Sequence, residues 1–549
     1  FWSGTWGLLR SYGQRRQDLT ELPGNPQQGA VIVENANAFT GVCPRDVNPR
    51  NGRPTGNIAN LREYSVTAVL ANDILPNNLG VTIDPNVNPG GNVGGELNPA
   101  GGTLVYNRRE TVVPDALLLD EITGLPVIGP DGNPIVAQAG GMSPLNDPTA
   151  ILYVRTEDMM NPDDPKAGLK PGVPVEPLVL RANAGDCIEV TLRNRLPADI
   201  PIVEAGPDGI LGTEDDVVVG FEPGMPDLAG WQGMMWVVNR ELGVPGVDAD
   251  GNIIPQGAPG ARGNEVTFFN NNLIRPSNQA GLHAQLVEYD ASRDDGLIVG
   301  GNNQGSVRPG GQKTYRWYAG DLRHEPVQGG NPNQRRFNIV ATPVEFGGTN
   351  LLSADRVKQP QKGMFGALVI EPAGATYDET TLVADGQGTG AAQRMTRAQA
   401  TITSDPGDAG SGGTYREALA IGHKITNLRW KDGTAIKNVN QEELGREGAE
   451  DSGHAGFNYG MEPPWLRFKL PPDVPFGNAG TPGTYGAIPN AHDMYANALV
   501  AGEINTLPGG DPATPVFTAT AGEPTRMHVL TGASADRDGT WMLHGHLWQ

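Results

Sequence analysis

The sequence predicts an all-β protein with long loop insertions. Three observations support this class: short runs that alternate apolar with polar residues, turn-forming residues between those runs, and the lack of a long segment with helical periodicity. The 549 residues include 76 glycines and 47 prolines, which are spread between the apolar runs without a fixed period. This distribution favours β scaffolds that carry long loops over a disordered chain.

The predicted strands follow one another along the chain. Residues 62–70 (REYSVTAVL) alternate and are rich in β-branched side chains, and residues 102–106 and 150–155 form shorter pieces. Residues 176–196 predict a β-hairpin, in which one strand ends at Arg181, residues 183–186 turn and residues 187–192 return. Further strands are predicted at residues 283–289, 313–318, 337–342 and 366–372, and residues 516–530 predict strand, turn and strand.

The charge and hydropathy of the chain exclude some partners. A net charge of -22 and a pI near 4.8 disfavour nucleic acid and anionic membrane surfaces. No run of 18 apolar residues exists, so we expect no membrane span. These properties suit an extracellular or periplasmic protein.

Two cysteines, Cys43 and Cys187, leave two alternatives open. In a reducing cell they would be buried thiols, whereas in an exported protein they could form one disulfide between an N-terminal loop and a strand. The distance between them decides, and the sequence does not give it.

The C-terminal residues 541–549 (WMLHGHLWQ) contain a His-x-His pair, His544 and His546. On an extended segment, residues i and i+2 point to one face, and two neutral imidazoles on one face can share a metal ion. Two histidines satisfied by ordinary hydrogen bonds are the alternative.

The order of several motifs resembles the multicopper oxidases, and most of all the large bacterial manganese-oxidase-like members. The motifs are LVLRANAGDCIEVTLRNRLP at residues 178–197, PGGQKTYRWYA at 309–319, GMFGALVIEP at 363–372 and LHGH at 543–546. The resemblance implies repeated cupredoxin domains, which are Greek-key β-sandwiches or barrels. It implies a first domain over residues 26–375, with insertions near 76–176 and 197–270, and a second, incomplete domain over 376–549. Residues 1–25 resemble the closing strand of such a domain.

The resemblance also implies copper. Members of the family hold one copper with a Cys and two His, and a trinuclear cluster with eight His in four His-x-His pairs. Carried over by position, the first pair becomes His283-Ala-Gln285, and the second would fall at residues 342–346, which contain no histidine. His544 and His546 fit the third pair, or a His-Cys-His segment in which Gly545 replaces the cysteine. The implied copper ligands are therefore His544, His546 and His283, an incomplete set.

Two functions follow as expectations. The first is a copper-dependent oxidoreductase that passes electrons from a metal ion or organic donor to dioxygen, provided that a missing part or another copy completes the ligands. The second is a non-catalytic cupredoxin protein that assembles head to tail into an extracellular filament, with residues 1–12 packed on another copy. Fold analogy alone does not decide between them.

Other sites are predicted from residue type alone. Asp208, Glu214, Asp215 and Asp216 lie in a Gly-containing loop of the kind that binds calcium, although a solvated acidic loop is the alternative. His324 and His454 stand in polar surroundings and are expected to be exposed, whereas His528 is expected to pack within or beside a strand.

Overall fold

The computed structural model describes most of the chain between residues 31 and 532. The described ranges are 31–83, 97–117, 125–138, 140–197, 202–204, 217–219, 277–297, 305–328, 335–356, 359–379, 382–384, 393–405, 413–425, 428–434, 454–467 and 513–532, together with residues 123, 436, 469 and 541.

Strands dominate these ranges, as the alternating apolar pattern predicts. In the N-terminal part they are β1 (Val31–Val33), β2 (Phe39–Thr40), β3 (Cys43–Val47), β4 (Pro54–Ile58), β5 (Leu61–Leu70), β6 (Leu104–Asn107), β7 (Val112–Val113), β8 (Ala116–Leu117), β9 (Val136–Gln138), β10 (Gly141–Met142), β11 (Leu145–Asp147), β12 (Ile151–Arg155), β13 (Leu178–Asn183), β14 (Cys187–Asn194), β15 (Ile202–Glu204) and β16 (Val217–Val219).

The later strands are β17 (His283–Ala284), β18 (Glu288–Tyr289), β19 (Gln312–Tyr318), β20 (Gly320–Pro326), β21 (Arg335–Pro343), β22 (Gly347–Leu352), β23 (Gly366–Glu371), β24 (Thr376–Asp378), β25 (Leu382–Ala384), β26 (Gln393–Met395), β27 (Gln399–Ser404), β28 (Gly413–Lys424), β29 (Ala455–Phe457) and β30 (Thr525–Thr531). The helical turns within the described ranges are α1 (Ala71–Ile74), α2 (Pro464–Arg467) and four 3₁₀ turns at Ala36–Ala38, Thr156–Asp158, Pro165–Ala167 and Pro360–Lys362. The predicted all-β class is confirmed.

Two sheets form a sandwich in the first part of the chain. One has the strand order β12-β5-β14-β19-β18, and the other has the order β13-β23-β22-β17. Alternate side chains of both sheets meet in a core that includes Val190, Trp317, Leu180 and Leu368, all fully buried. Burying such apolar side chains contributes about 1.5–3 kcal/mol each.

The four-stranded sheet is covered on both faces. Strands β13 and β23 pair in parallel, from Leu178 with Gly366 to Asn183 with Glu371, and all residues of both strands are buried. Leu180 belongs to the sandwich core, whereas Val179 belongs to a second core that also contains Leu419 and Ile421 of β28. This arrangement explains why both strands are nearly continuous apolar runs.

A further sheet brings the C-terminal part of the chain against the second core. Its order is β24-β27-β28-β29, and β30 pairs in parallel with β28 from Arg416 with Thr525 to Gly422 with Thr531. The predicted strand that precedes the turn at residue 522 is wrong. Residues 515–520 form no strand, and only β30 follows the turn, where Gly522 adopts a φ of +86°.

The predicted hairpin at residues 176–196 is also wrong, although its strands and turn exist. β13 pairs with β23, whereas β14 pairs with β5 and β19 in the opposite sheet. The turn sends the chain from one sheet to the other because its amides bond to both: Ala184 N–H donates to Glu371 O and Gly185 N–H donates to Ala319 O. The local pattern is the same for a hairpin and for such a crossing, since both need two strands and a turn.

The predicted strand at residues 283–289 is interrupted. His283–Ala284 pairs with β22, and Glu288–Tyr289 pairs with β19, so the two pieces belong to different sheets. Leu286 lies between them with a φ of +62°, a left-handed conformation that ends a strand. In the part of the chain that the structure describes, no helix is long and apolar enough to cross a membrane.

Candidate functional site

His283, the predicted copper ligand that the structure describes, is held in a fixed orientation. Its Nδ1 lies 2.7 Å from the backbone oxygen of Asp295 and 3.4 Å from the Asp295 carboxylate, so Nδ1 carries a proton and donates it. The lone pair of the neutral ring is then on Nε2. Histidines that bind metals are commonly fixed in this way by a carbonyl or carboxylate on the other nitrogen.

The neighbourhood of His283 depends on a close backbone approach. Gly296 has a φ of +79°, and a Cβ at this position would lie 2.1 Å from Leu282 O. Only glycine allows the chain next to Asp295 to come this near to β17. The ring of Tyr289 meets His283 edge to face at 5.6 Å, and burial together with the Asp295 carboxylate raises the pKa of Tyr289 to about 12. The imidazole is 12 % exposed, which leaves a narrow approach to it.

The other predicted metal ligands lie outside the described residues. These are His544 and His546 for copper, and Asp208, Glu214, Asp215 and Asp216 for calcium. Among the residues described, no group of three or more His, Cys, Asp or Glu side chains is arranged to hold a metal ion. His283 is thus one fixed imidazole, and both metal sites stay predictions.

The two cysteines form a disulfide, which decides between the alternatives left by the sequence. Cys43 of β3 and Cys187 of β14 have Cα atoms 5.6 Å apart, and both side chains are fully buried. Because the chain contains two cysteines, the disulfide uses every sulfur that could otherwise serve as a thiolate ligand for copper.

Two other histidines are engaged by the protein itself. His423 lies among Tyr106, Phe365 and Tyr459, and its Nε2 accepts a hydrogen bond from Tyr459 N–H at 3.1 Å. Burial lowers the pKa of His423 to about 4, so the ring is neutral. His528 packs against β22, as expected: its Nδ1 accepts from Gly348 N–H at 3.2 Å, and a Cβ at Gly348 would lie 2.9 Å from the His528 side chain.

Neither of the remaining described histidines, His324 and His454, is exposed, although both were expected to be. His454 is 2 % exposed and meets Trp465 edge to face at 6.1 Å, so the prediction that it is exposed is wrong. Its neighbours in the sequence are polar, but His454 directly precedes β29, where the chain packs against the second core. Sequence neighbours alone therefore did not reveal that it is buried. His324 is half-buried beside Phe337, and burial lowers its pKa.

A cluster of charged side chains is buried where β13, β23 and β28 meet, and sequence reasoning missed it. Arg181 of β13 is fully buried and donates to Glu417 Oε1 from Nε (3.1 Å) and Nη2 (2.8 Å), and to Glu379 Oε1 from Nη1 (2.7 Å). Arg155 forms a bidentate ion pair with Glu379, in which Nη1 is 3.0 Å from Oε2 and Nη2 is 3.1 Å from Oε1. Burial alone would lower the pKa of Arg181, but the carboxylates of Glu417 and Glu379 raise it, so the guanidinium stays charged.

A third carboxyl group, Glu371 of β23, lies in the same cluster. Its Oε2 accepts from Tyr415 O–H at 2.9 Å, while Arg181 Nε is 3.8 Å from Oε1. Glu371 and Glu417 both approach Arg181, whose Nε is 3.8 Å from Glu371 Oε1 and 3.1 Å from Glu417 Oε1, and each carboxyl group shifts the pKa of the other. Burial and the neighbouring Glu417 carboxylate raise the pKa of Glu371 to about 9. Burial opposes ionisation of Glu417, yet the hydrogen bond from His528 and the charge of Arg181 lower its pKa to about 2.

A signal for this cluster exists in the sequence. Arg181, Glu371 and Glu417 each stand within or at the end of an apolar strand, in LVLRAN, GALVIE and TYREALAIG. A charge in a strand that is apolar on both faces needs a partner of opposite charge, because an unpaired buried charge is too costly.

No protein-family model matches the sequence, and a search of curated proteins finds no match either.

Proposed function

We propose that this chain is an exported copper-binding protein with cupredoxin domains similar to those of multicopper oxidases, and that His283 binds copper through Nε2. The orientation of His283 supports the proposal most directly, because the hydrogen bond to Asp295 O leaves Nε2 as the basic nitrogen. His544 and His546 are the further ligands proposed from the sequence. Bound copper would supply one-electron chemistry.

Two properties support export. The buried disulfide between Cys43 and Cys187 is typical of proteins that fold in an oxidising compartment, outside the cell or in a periplasm. The net charge of -22 suits a protein whose partners are neither nucleic acid nor anionic membrane.

One observation favours a second candidate, a non-catalytic structural cupredoxin protein that assembles head to tail. The mononuclear copper of multicopper oxidases takes electrons through a thiolate ligand, and in this chain both cysteines are in the disulfide. Transfer of electrons to dioxygen would then need ligands from outside this sequence, whereas assembly needs none.

Copper titration of the full chain separates the two candidates. The probe is Cu²⁺, with copper per chain measured by elemental analysis after gel filtration and nitrogen coordination measured by electron paramagnetic resonance. We expect His283→Gln to lose bound copper and His324→Gln, the matched control at a half-buried histidine, to retain it. Circular dichroism checks that both variants fold.

Three outcomes are informative. Copper that is lost in His283→Gln and kept in His324→Gln supports the proposal. Copper that is bound equally by both variants overturns the role of His283. A wild-type chain that binds no copper, and whose sedimentation coefficient grows with concentration, supports the structural candidate instead.

A further inference from the structure

The carboxyl pair Glu371 and Glu417 joins two sheets. Glu371 ends β23 in the sheet shared by both cores, and Glu417 lies in β28 of the C-terminal sheet. Both side chains are 0 % exposed, so neither carboxyl group is solvated by bulk water. The contact between them is therefore part of the joint between the sheets.

Two carboxylates cannot form a hydrogen bond with each other, because both only accept. Glu371 Oε1 is buried and no donor from another residue bonds to it. A proton on Glu371 Oε1 that is donated to Glu417 gives Oε1 a hydrogen-bond partner. It also removes the repulsion that two neighbouring carboxylates would have. The remaining oxygens already have donors: Tyr415 O–H at Glu371 Oε2, Arg181 at Glu417 Oε1, and His528 at Glu417 Oε2.

The charges of the surrounding cluster agree with one proton. Arg155 and Arg181 provide two positive charges, which balance the carboxylates of Glu379 and Glu417. Gly348 N–H donates to His528 Nδ1, so the ring proton is on Nε2 and is donated to Glu417 Oε2. Arg526 lies over the Tyr415 ring at 4.7 Å but is paired with Glu345 at 2.8 Å. An ionised Glu371 would be a third carboxylate beside these two guanidinium groups, and Arg181, 3.8 Å from it, already bonds to Glu417 and Glu379.

We propose that Glu371 and Glu417 share one proton, that this proton holds β23 and β28 together, and that the joint between the two sheets loosens as the pH rises. Glu371 loses its hydrogen bond to Glu417 when it ionises, and the two carboxylates then repel each other in a buried site. The raised pKa of Glu371 is consistent with a proton that is retained at neutral pH and released near pH 9. This inference is independent of copper binding.

Infrared spectroscopy detects the proton directly, because a carboxylic acid and a carboxylate absorb at different frequencies. We expect the wild-type spectrum at pH 7 to contain an acid carbonyl band that is missing in Glu371→Gln and that disappears from the wild type as the pH rises through about 9. A wild-type spectrum at pH 7 that lacks this band would overturn the proposal. Should Glu371→Gln fail to fold, the wild-type titration decides alone.

Hydrogen exchange measures the loosening of the joint. In Glu371→Gln, the amide can donate to Glu417 as the proton does but cannot ionise. After correction for intrinsic base catalysis, we expect exchange in β28 and β30 of the wild type to speed up by at most about tenfold per pH unit between about pH 4.5 and 9, and not in Glu371→Gln. The matched control is Glu325→Gln, which makes the same substitution at an exposed residue. Equal pH profiles for the wild type and Glu371→Gln would contradict a proton-held joint.

Discussion

Lys362 Nζ lies 2.9 Å from Asp147 Oδ2, and both side chains are completely buried. Lys362 also donates to Thr149 Oγ1, whose hydroxyl in turn donates to Asp147 Oδ1 at 2.6 Å. Burial lowers the pKa of Lys362, and the Asp147 carboxylate opposes this change. The ion pair therefore ties the 3₁₀ turn Pro360–Lys362 to the end of β11 inside the protein.

Removing one member of this pair should be strongly destabilising. We expect Lys362→Met to reduce the free energy of unfolding by about 3–5 kcal/mol, because the buried Asp147 carboxylate loses the positive charge of Lys362. Urea unfolding measures the loss. Lys166→Met is the matched control, since Lys166 is 68 % exposed and 4.0 Å from Asp73, and it should cost at most about 1 kcal/mol. Similar losses for the two variants would contradict a buried pair.

The disulfide should contribute measurably to stability. Replacing both Cys43 and Cys187 by Ala is expected to lower the free energy of unfolding by about 2–5 kcal/mol, because the bridge closes a span of 144 residues in the unfolded chain. Unfolding in urea gives this difference. Alkylation of the denatured, unreduced wild type checks the bridge itself: we expect no labelled cysteine by mass spectrometry, and two labels would contradict the disulfide.

Glu417 should make the protein sensitive to acid. Its pKa is about 2 in the folded protein and near 4.5 when unfolded, so the unfolded chain binds the proton first as the pH falls. The contribution of Glu417 is therefore fully present above pH 4.5 and declines between about pH 4.5 and 2, by at most about 1.4 kcal/mol per pH unit. Unfolding curves across this range should be less steep in pH for Glu417→Gln than for the wild type, and parallel curves would contradict the assignment.

His423 should remain neutral well below the usual range of histidine. Its pKa of about 4 in the folded state, against 6.5 for an ordinary histidine, means that its contribution to stability is present above pH 6.5 and declines as the pH falls to about 4. Nuclear magnetic resonance of ring-labelled histidine follows the titration, and the signal absent from His423→Gln identifies the residue. A midpoint near 6.5 for that signal would show that the ring is solvated.

The fold class was predictable because strand periodicity is local. Residues 62–70 and 313–318 alternate so regularly that β5 and β19 were placed within a residue or so of their observed bounds. Sheet membership is not local. The turn at Gly185 serves a hairpin and a crossing between sheets equally well, and only the distant partners Glu371 and Ala319 decide which one forms.

The same limit applies to the sites. The sequence alone could not show that Cys43 reaches Cys187, because the two residues belong to different sheets that pairing in three dimensions brings together. His283 was predicted from a family resemblance, but its partner Asp295 O is a backbone atom, which no motif encodes. Charges within apolar strands could have indicated the buried cluster around Arg181. They could not have shown which carboxyl group pairs with which arginine.

The Cys43–Cys187 bridge also determines what a protease would leave behind. Residues 131–136 are exposed and lie between the two cysteines in the sequence. A cut there leaves the peptide before it and the peptide after it covalently joined, with β5 of one fragment still bonded in parallel to β14 of the other. Such a nicked molecule would migrate as a single chain in a denaturing gel until a reductant is added.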